Sequence, residues 1–172
     1  MKTIYLLRHA KSDWGTAQLS DHERPLNARG RKAARRMGQY LRDEGIRPER
    51  VLVSSSVRTR ETWDRLADAA GLSVEPEFHR QLYHAPPPVY LGLCRSLSAE
   101  TRSILLIGHS PGIEETARGL ARTGGEPLLR ALQENYPTGA LVEIAFRGEW
   151  NAVEEGGRLV RYIRPRLLEE DD

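Results

Sequence analysis

The chain has 172 residues, 39% of them hydrophobic and 29% charged, which suits one soluble globular domain and excludes a chain too polar to bury a core. A formal net charge of +2 argues against a dedicated nucleic-acid binder, and a single cysteine, Cys94, excludes an internal disulfide. No apolar run approaches membrane-spanning length, and the short N-terminal apolar stretch runs straight into RHAKSD rather than a leader cleavage site, so the expected place is the cytoplasm, with no membrane partner.

In chain order, Ile4, Tyr5, Leu6 and Leu7 form a short buried strand that ends in Arg8 and His9. A polar loop follows. A helix is predicted from about Asn27 to Glu44, with Ala33, Met37 and Leu41 spaced four apart, Asn27 as its cap and Gly45 at its end. VLVS (51–54) reads as a second buried strand, followed by a helix from Val57 to Ala70 with Thr59, Thr62, Trp63, Leu66 and Ala70 on one face and Gly71 stopping it. A loop rich in Glu and Pro leads through LYHA to a helix opened by Pro86–Pro88, in which Cys94 falls on the apolar face with Tyr90, Leu93 and Leu97 and reads as a packed thiol. SILLIGHS (103–110) is a third buried strand, again ending in a histidine, and helices are expected at about 112–121 and 128–132. ALVEIAF and RLVRYIR alternate apolar and polar residues, the signature of an antiparallel strand pair at one side of a sheet. The expected fold is a three-layer α/β/α sandwich with a mostly parallel central sheet, forming one domain over 1–166 and leaving an acidic tail at 167–172.

Right-handed crossovers would deliver the C-terminal ends of the three buried strands to one rim. Arg8 and His9, Arg58 at the start of the second helix, and His109 would then converge where open α/β sheets bind ligands. Two guanidinium forks match a tetrahedral oxyanion, and each charge-assisted hydrogen bond is worth roughly 1.5–3 kcal/mol. An imidazole whose Nδ1–H is held by a carbonyl would leave Nε2 free to attack phosphorus, while His109 donates to a phosphate oxygen. A metal site is the weaker chemical reading, because the two histidines lack a carboxylate or thiol at ligand spacing and the arginines repel a cation. Neither a metal nor another cofactor is expected. His22 and His79, in polar loops, read as structural.

LLRHAKSDW, DHERPLNARGRKAARRMG, VLVSSSVRTRET and LLIGHSPGIEE, four motifs in order, resemble the histidine phosphatase (phosphoglycerate mutase-like) superfamily, in its short SixA-type form. The resemblance runs from residue 3 to about 146, where YPTGALVEI is similar to a late strand motif of that subfamily. It implies that His9 is the nucleophile that becomes phosphorylated and that Arg8, Arg58 and His109 complete the phosphate pocket, with Ser12 as a further phosphate contact or a turn residue. Ser54 and Thr62 match the family's S…RxxxT pattern and would position the strand end and helix. Arg24, Leu26 and Gly30 match its RPLxxxG segment, which reads as scaffold. Ser110 departs from the Asn that commonly follows the second histidine, and His84 stands at a variable position, either on the pocket rim or packed beside it.

Larger members of the family carry a carboxylic acid after the second helix to protonate a departing alkoxide, help that typically contributes 10²–10⁴-fold. Here only LSVEPEFHRQ occupies that place, and Glu75 and Glu77 stand in no recognisable acid motif. A short site without a dedicated acid favours P–N bonds. The expected reaction is therefore hydrolysis of phosphohistidine on a protein of the histidine phosphotransfer type, with inorganic phosphate as product. A small-molecule phosphomonoesterase using Glu77 or His84 as acid is the alternative, and a non-catalytic phosphate-binding module is a third reading.

Overall fold

The computed structural model describes residues 1–14 and 17–169. Among these residues five α-helices and seven strands follow in the order β1 (Lys2–Arg8), α1 (Ala28–Asp43), β2 (Arg50–Ser54), α2 (Val57–Ala70), β3 (Glu77–His79), α3 (Pro87–Arg95), β4 (Ser103–Gly108), α4 (Gly112–Leu120), β5 (Ala121–Gly124), α5 (Glu126–Glu134), β6 (Leu141–Phe146) and β7 (Gly157–Ile163). They build one sheet in the order β3-β2-β4-β1-β6-β7-β5. β1, β2, β3 and β4 are mutually parallel; β6 runs antiparallel to both β1 and β7, and β5 is parallel to β7. β6 alone therefore reverses direction, and β7 ends at the same rim as β1.

Period-2 alternation sorts the strand side chains into two cores. Ile4, Leu6, Leu52, Ile104 and Leu106 face Tyr90, Cys94, Ile113 and Ala117 of α3 and α4. Leu7, Val51, Val53, Leu105 and Ile107 face Met37, Leu41, Trp63 and Leu66 of α1 and α2. This is the expected three-layer sandwich. Cys94 is the packed thiol its spacing suggests, and burial pushes it up to about 12.

Local chemistry sets the element ends as expected. The Asn27 side chain accepts from Gly30 N at the start of α1, and Gly71 closes α2 in the left-handed conformation. Gly30 is required by contact: a Cβ there would lie 2.0 Å from the Lys11 carbonyl oxygen, so α1 packs directly on the segment leaving His9. Two strands escape the sequence pattern. Residues 77–79, read as loop, form β3, and residues 121–124 form β5 rather than a helix end and loop. Both are short sheet edges with no clear alternation, so pairing with a neighbour decides them.

Pro165–Leu168 form a single 3-10 turn, with Leu168 packed against the α1–α2 core, while residues 170–172 of the expected acidic tail lie outside the described residues. Among the described residues no helix is long and apolar enough to cross a membrane.

Candidate active site

Arg8 and His9 leave β1 where its parallel neighbour β4 reaches Gly108 and His109. The backbone fixes them from three sides: His9 N donates to Gly108 O (3.1 Å), Arg8 N donates to Ala140 O (3.0 Å), and Gly139 N donates to the carbonyls of Arg8 and His9 (3.0 and 2.9 Å). Gly139 takes φ +79, so the YPTG segment turns tightly against Arg8 and His9. Thr62 ties in α2, accepting from Ala10 N (3.0 Å) and donating to Arg58 O (2.7 Å). Ser54, at the end of β2, meets His109 Nε2 at 2.8 Å. Ser54 and Thr62 thus hold the strand end and helix as the motif implies.

His9 has a single productive tautomer. Nδ1 lies 2.7 Å from the Ala10 carbonyl, which can only accept, so Nδ1 carries the proton. Nε2 makes no hydrogen bond to any described residue and keeps its lone pair. Burial is the main force on its pKa; the Ala10 carbonyl opposes it, and Arg58, Arg8 and Arg24 add to it, leaving His9 lowered to about 3. His109 is lowered to about 2 by burial first, then by His9, Arg58 and His84, with Asp21 opposing. The two rings lie 5.3 Å apart between centroids.

Two guanidiniums flank this pair. Arg58 is buried (2% exposed) and its Nη2 approaches His109 Nδ1 at 3.4 Å. Arg8 Nη1 donates to Tyr136 O (2.9 Å). Among the described residues the buried Nε atoms of Arg8 and Arg58 have no hydrogen-bond partner, which is unusual for groups so costly to leave unpaired. Arg8, His9, Arg58 and His109 are therefore brought together as the three strand ends predict.

The remaining candidates divide. His84 reaches the rim: its ring lies 5.3 Å from that of His109 and its Nε2 is 3.0 Å from Asp21 Oδ2. Ser12 is buried, accepts from Arg24 Nη1 (3.0 Å) and bridges to Leu26, so its hydroxyl is engaged in the turn. Glu77 is a correction. It pairs with Arg50 (2.7 Å), and because Arg50 starts β2, this carboxylate points back along the strand, away from Ser54 and the pocket. His79 sits beside Glu77 at 3.8 Å, whereas His22 lies nearer the site, 2.8 Å from Ser55 Oγ. Among the described residues no group of three or more His, Cys, Asp or Glu side chains could hold a metal ion.

Asp21 is the residue that sequence reasoning missed. Its carbonyl accepts from Arg58 Nη1 (2.7 Å) and its Oδ2 from Arg58 Nη2 (3.1 Å), Tyr83 and His84; Arg24 Nε donates to Oδ1 (3.0 Å). Burial pushes its carboxyl up, but the Tyr83 hydrogen bond, the Arg58 charge and the His84 bond outweigh that and hold it well below the usual carboxylate range. Asp21 thus anchors Arg58 through both its carbonyl and its carboxylate, and the hydrogen bonds around it favour the charged form. The only signal was its place three residues before Arg24 in a polar loop, and Asp in such a loop is ordinary.

A family model described as Histidine phosphatase superfamily (branch 1) matches residues 4–82, which include Arg8, His9 and Arg58. The phosphohistidine phosphatase SixA of Escherichia coli is 31% identical over 113 residues, 63% of this chain and 67% of that protein. An uncharacterised protein of Mycobacterium tuberculosis is 31% identical over 163 residues, 93% of this chain and 100% of that protein. The crystal structure of a provisionally named phosphohistidine phosphatase SixA from Agrobacterium tumefaciens superposes with a TM-score of 0.81 at 30% identity, covering 95% of this chain and 98% of that one. By sequence and by fold, the chain belongs to the histidine phosphatase superfamily.

Proposed function

We propose that this protein is a phosphatase that works without a metal through a phospho-His9 intermediate, and that its substrate is phosphohistidine on a protein. The observation that carries the mechanism is the fixed His9 tautomer: a neutral imidazole with Nδ1–H held by Ala10 and Nε2 open to the pocket. Arg8 and Arg58 supply the charge neutralisation that lets a lone pair approach a phosphoryl group and stabilise the charge it carries in transit. Ser54 completes the arrangement. Its hydroxyl meets His109 Nε2 at 2.8 Å, and His109 Nδ1 lies 3.4 Å from Arg58 Nη2, which can only donate; Nδ1 therefore accepts from Arg58 here, and it gains a proton to donate to a phosphoryl oxygen once the guanidinium turns to the phosphate and the Ser54 hydroxyl donates to Nε2.

In the first step the Nε2–P bond forms and the bond from phosphorus to the leaving nitrogen breaks. In the second, water attacks phospho-His9 and inorganic phosphate departs. Asp21, whose hydrogen bonds favour the charged form, is a poor proton donor to an alkoxide, and Glu77 faces the other end of its strand. An imidazole leaves with far less help, so the site suits P–N bonds. His84, on the rim, keeps a phosphomonoesterase activity as the second reading.

The test is turnover of a phosphorylated histidine phosphotransfer domain against a panel of sugar and glycerol phosphates, with chelator present, by wild type and His9→Ala. Faster turnover of the domain, lost in His9→Ala and accompanied by a base-stable, acid-labile phosphoenzyme in the wild type, is the expected result. Preference for an alkyl phosphate would overturn the substrate assignment and direct attention to His84. A requirement for added metal would overturn the mechanism.

A further inference from the structure

The charge of the chain is unevenly placed. α1 contains Arg29, Arg31, Lys32, Arg35, Arg36 and Arg42 against one acid, Asp43, a balance of +5 in a chain whose total is +2, so the rest of the protein carries −3. None of Arg29, Arg31, Lys32, Arg35 or Arg36 is within 4.0 Å of a carboxylate among the described residues. Arg31 with Arg35, and Lys32 with Arg36, are like charges four apart on a helix, a spacing at which they repel each other and destabilise it. Folding does not require this row, because the buried face of α1 is Gly30, Ala34, Met37, Gly38 and Leu41.

Arg31, Lys32, Arg35 and Arg36 line one shallow depression, and Arg29 carries the positive charge of α1 into a second groove. A groove of about 590 Å³ is lined by Lys11, Arg29, Arg164 and Arg166, with Pro137 and Leu167 as apolar wall and Glu169 as its acid. It shares a side with the catalytic pocket: Lys11 follows His9 and Ala10, and Pro137 and Thr138 lead into Gly139, whose N–H holds the carbonyls of Arg8 and His9. Arg164 and Arg166 come to this rim because β7 runs parallel to β1. On the same segment, Trp14 is 78% exposed with the Arg24 guanidinium stacked 3.4 Å from its ring centre. Exposed tryptophan and arginine are the residue types that dominate protein interfaces.

We propose that α1, the Lys11–Trp14 segment and the Arg164–Arg166 turn form one docking surface for an acidic face of the phosphorylated protein, orienting its phosphohistidine toward His9. The proposal rests on the phosphohistidine reading and deepens it, since a small metabolite would use the pocket and leave the row idle. The solvent-exposed Trp14 and Leu167 favour a protein face over a polyanion backbone. Rim charges act chiefly on association, so their removal should appear in kcat/KM and in salt dependence.

The experiment compares wild type, the triple variant Arg29→Glu/Lys32→Glu/Arg166→Glu, and Arg102→Glu, an exposed charge at the opposite end of the sheet. Each is assayed on a phosphorylated, acidic-faced histidine phosphotransfer domain and on phosphoramidate, a small P–N compound. The triple variant is expected to lose about tenfold or more in kcat/KM on the domain, with phosphoramidate turnover within twofold of wild type and Arg102→Glu unchanged on both. Equal loss on both substrates, or no loss on the domain, would overturn the docking surface. Binding of the unphosphorylated domain, titrated at low and high salt, separates this idea from the catalytic one. Salt-sensitive binding by wild type that the triple variant loses supports docking even if no phosphohistidine is hydrolysed. No binding at low salt, or stronger binding of single-stranded RNA or anionic vesicles, overturns docking even if hydrolysis occurs.

Discussion

Lys2 and Arg8 sit at opposite ends of β1, and the protein treats these two cations in opposite ways. At the N-terminal rim the Lys2 ammonium donates to the carbonyls of Ala99 and Thr101, the latter at 3.0 Å, and lies 5.7 Å from the Trp150 ring centre. Trp150 Nε1 donates to the same Thr101 carbonyl (2.7 Å). That rim is closed: its polar groups satisfy one another. At the C-terminal rim, among the described residues, the buried Nε atoms of Arg8 and Arg58 have no hydrogen-bond partner and His9 Nε2 accepts from no donor. One strand thus gives a closed end and an end that holds the candidate site, and the difference lies in which hydrogen bonds are left unmade among the described residues. An unmade buried bond costs about 1–3 kcal/mol, and a ligand that completes it recovers that cost on binding.

The contrast can be broken most sharply at Arg58. Arg58→Ala should lower kcat/KM by roughly 10²–10³-fold, because the guanidinium faces charge on the transferring phosphoryl group, and Arg58→Lys should recover little of it, since an ammonium cannot reproduce the fork. Steady-state turnover on either substrate class reads the effect. Equal activity in Arg58→Lys would mean that the site needs only a point charge.

The mirror experiment is Lys2→Met. It leaves the Ala99 carbonyl without its donor, while Thr101 keeps Trp150 Nε1, and should cost about 1–3 kcal/mol of stability, measured by urea denaturation, with kcat unchanged. A fall in activity at unchanged stability would show that the two rims are coupled.

The smallest expected effect is on pH dependence. His9 and His109 fold with pKa values near 3 and 2, below the unfolded value of about 6.5. Between those values the unfolded chain binds more protons, so stability is full above pH 6.5 and declines as the pH falls toward 3. His109→Gln should flatten the slope measured from pH 7 to 4.5, a window chosen so that Asp21, whose depressed carboxyl acts only at lower pH, stays ionised. A slope as steep as that of the wild type would mean that His109 is not held neutral.

Much of the site was legible because strand direction is. A buried run followed by a helix must send its C-terminal end to the ligand rim, so Arg8, His9 and His109 could be placed from sequence, and Arg58 follows because α2 starts where β2 stops. Asp21 was not legible. It comes from a loop and finds Arg58, Tyr83 and His84 across the pocket, contacts that no local pattern encodes. Glu77 misled for the opposite reason: its position in the chain is close to the pocket, but the pairing of β3 with β2 turns it toward Arg50.

By itself, the sequence determined the layered α/β/α class, the caps of α1 and α2 and the four residues that gather at the strand ends, because these follow from hydrophobic period, capping chemistry and chain direction. Only the tertiary structure decided the edge strands β3 and β5, the anchoring of Arg58 by Asp21, and the meeting of Arg29 of α1 with Arg164 and Arg166. Those depend on which distant segments lie side by side, and residues far apart in the chain carry no mark of being neighbours until β6 has reversed and β7 has brought the C-terminal turn back to the rim beside His9.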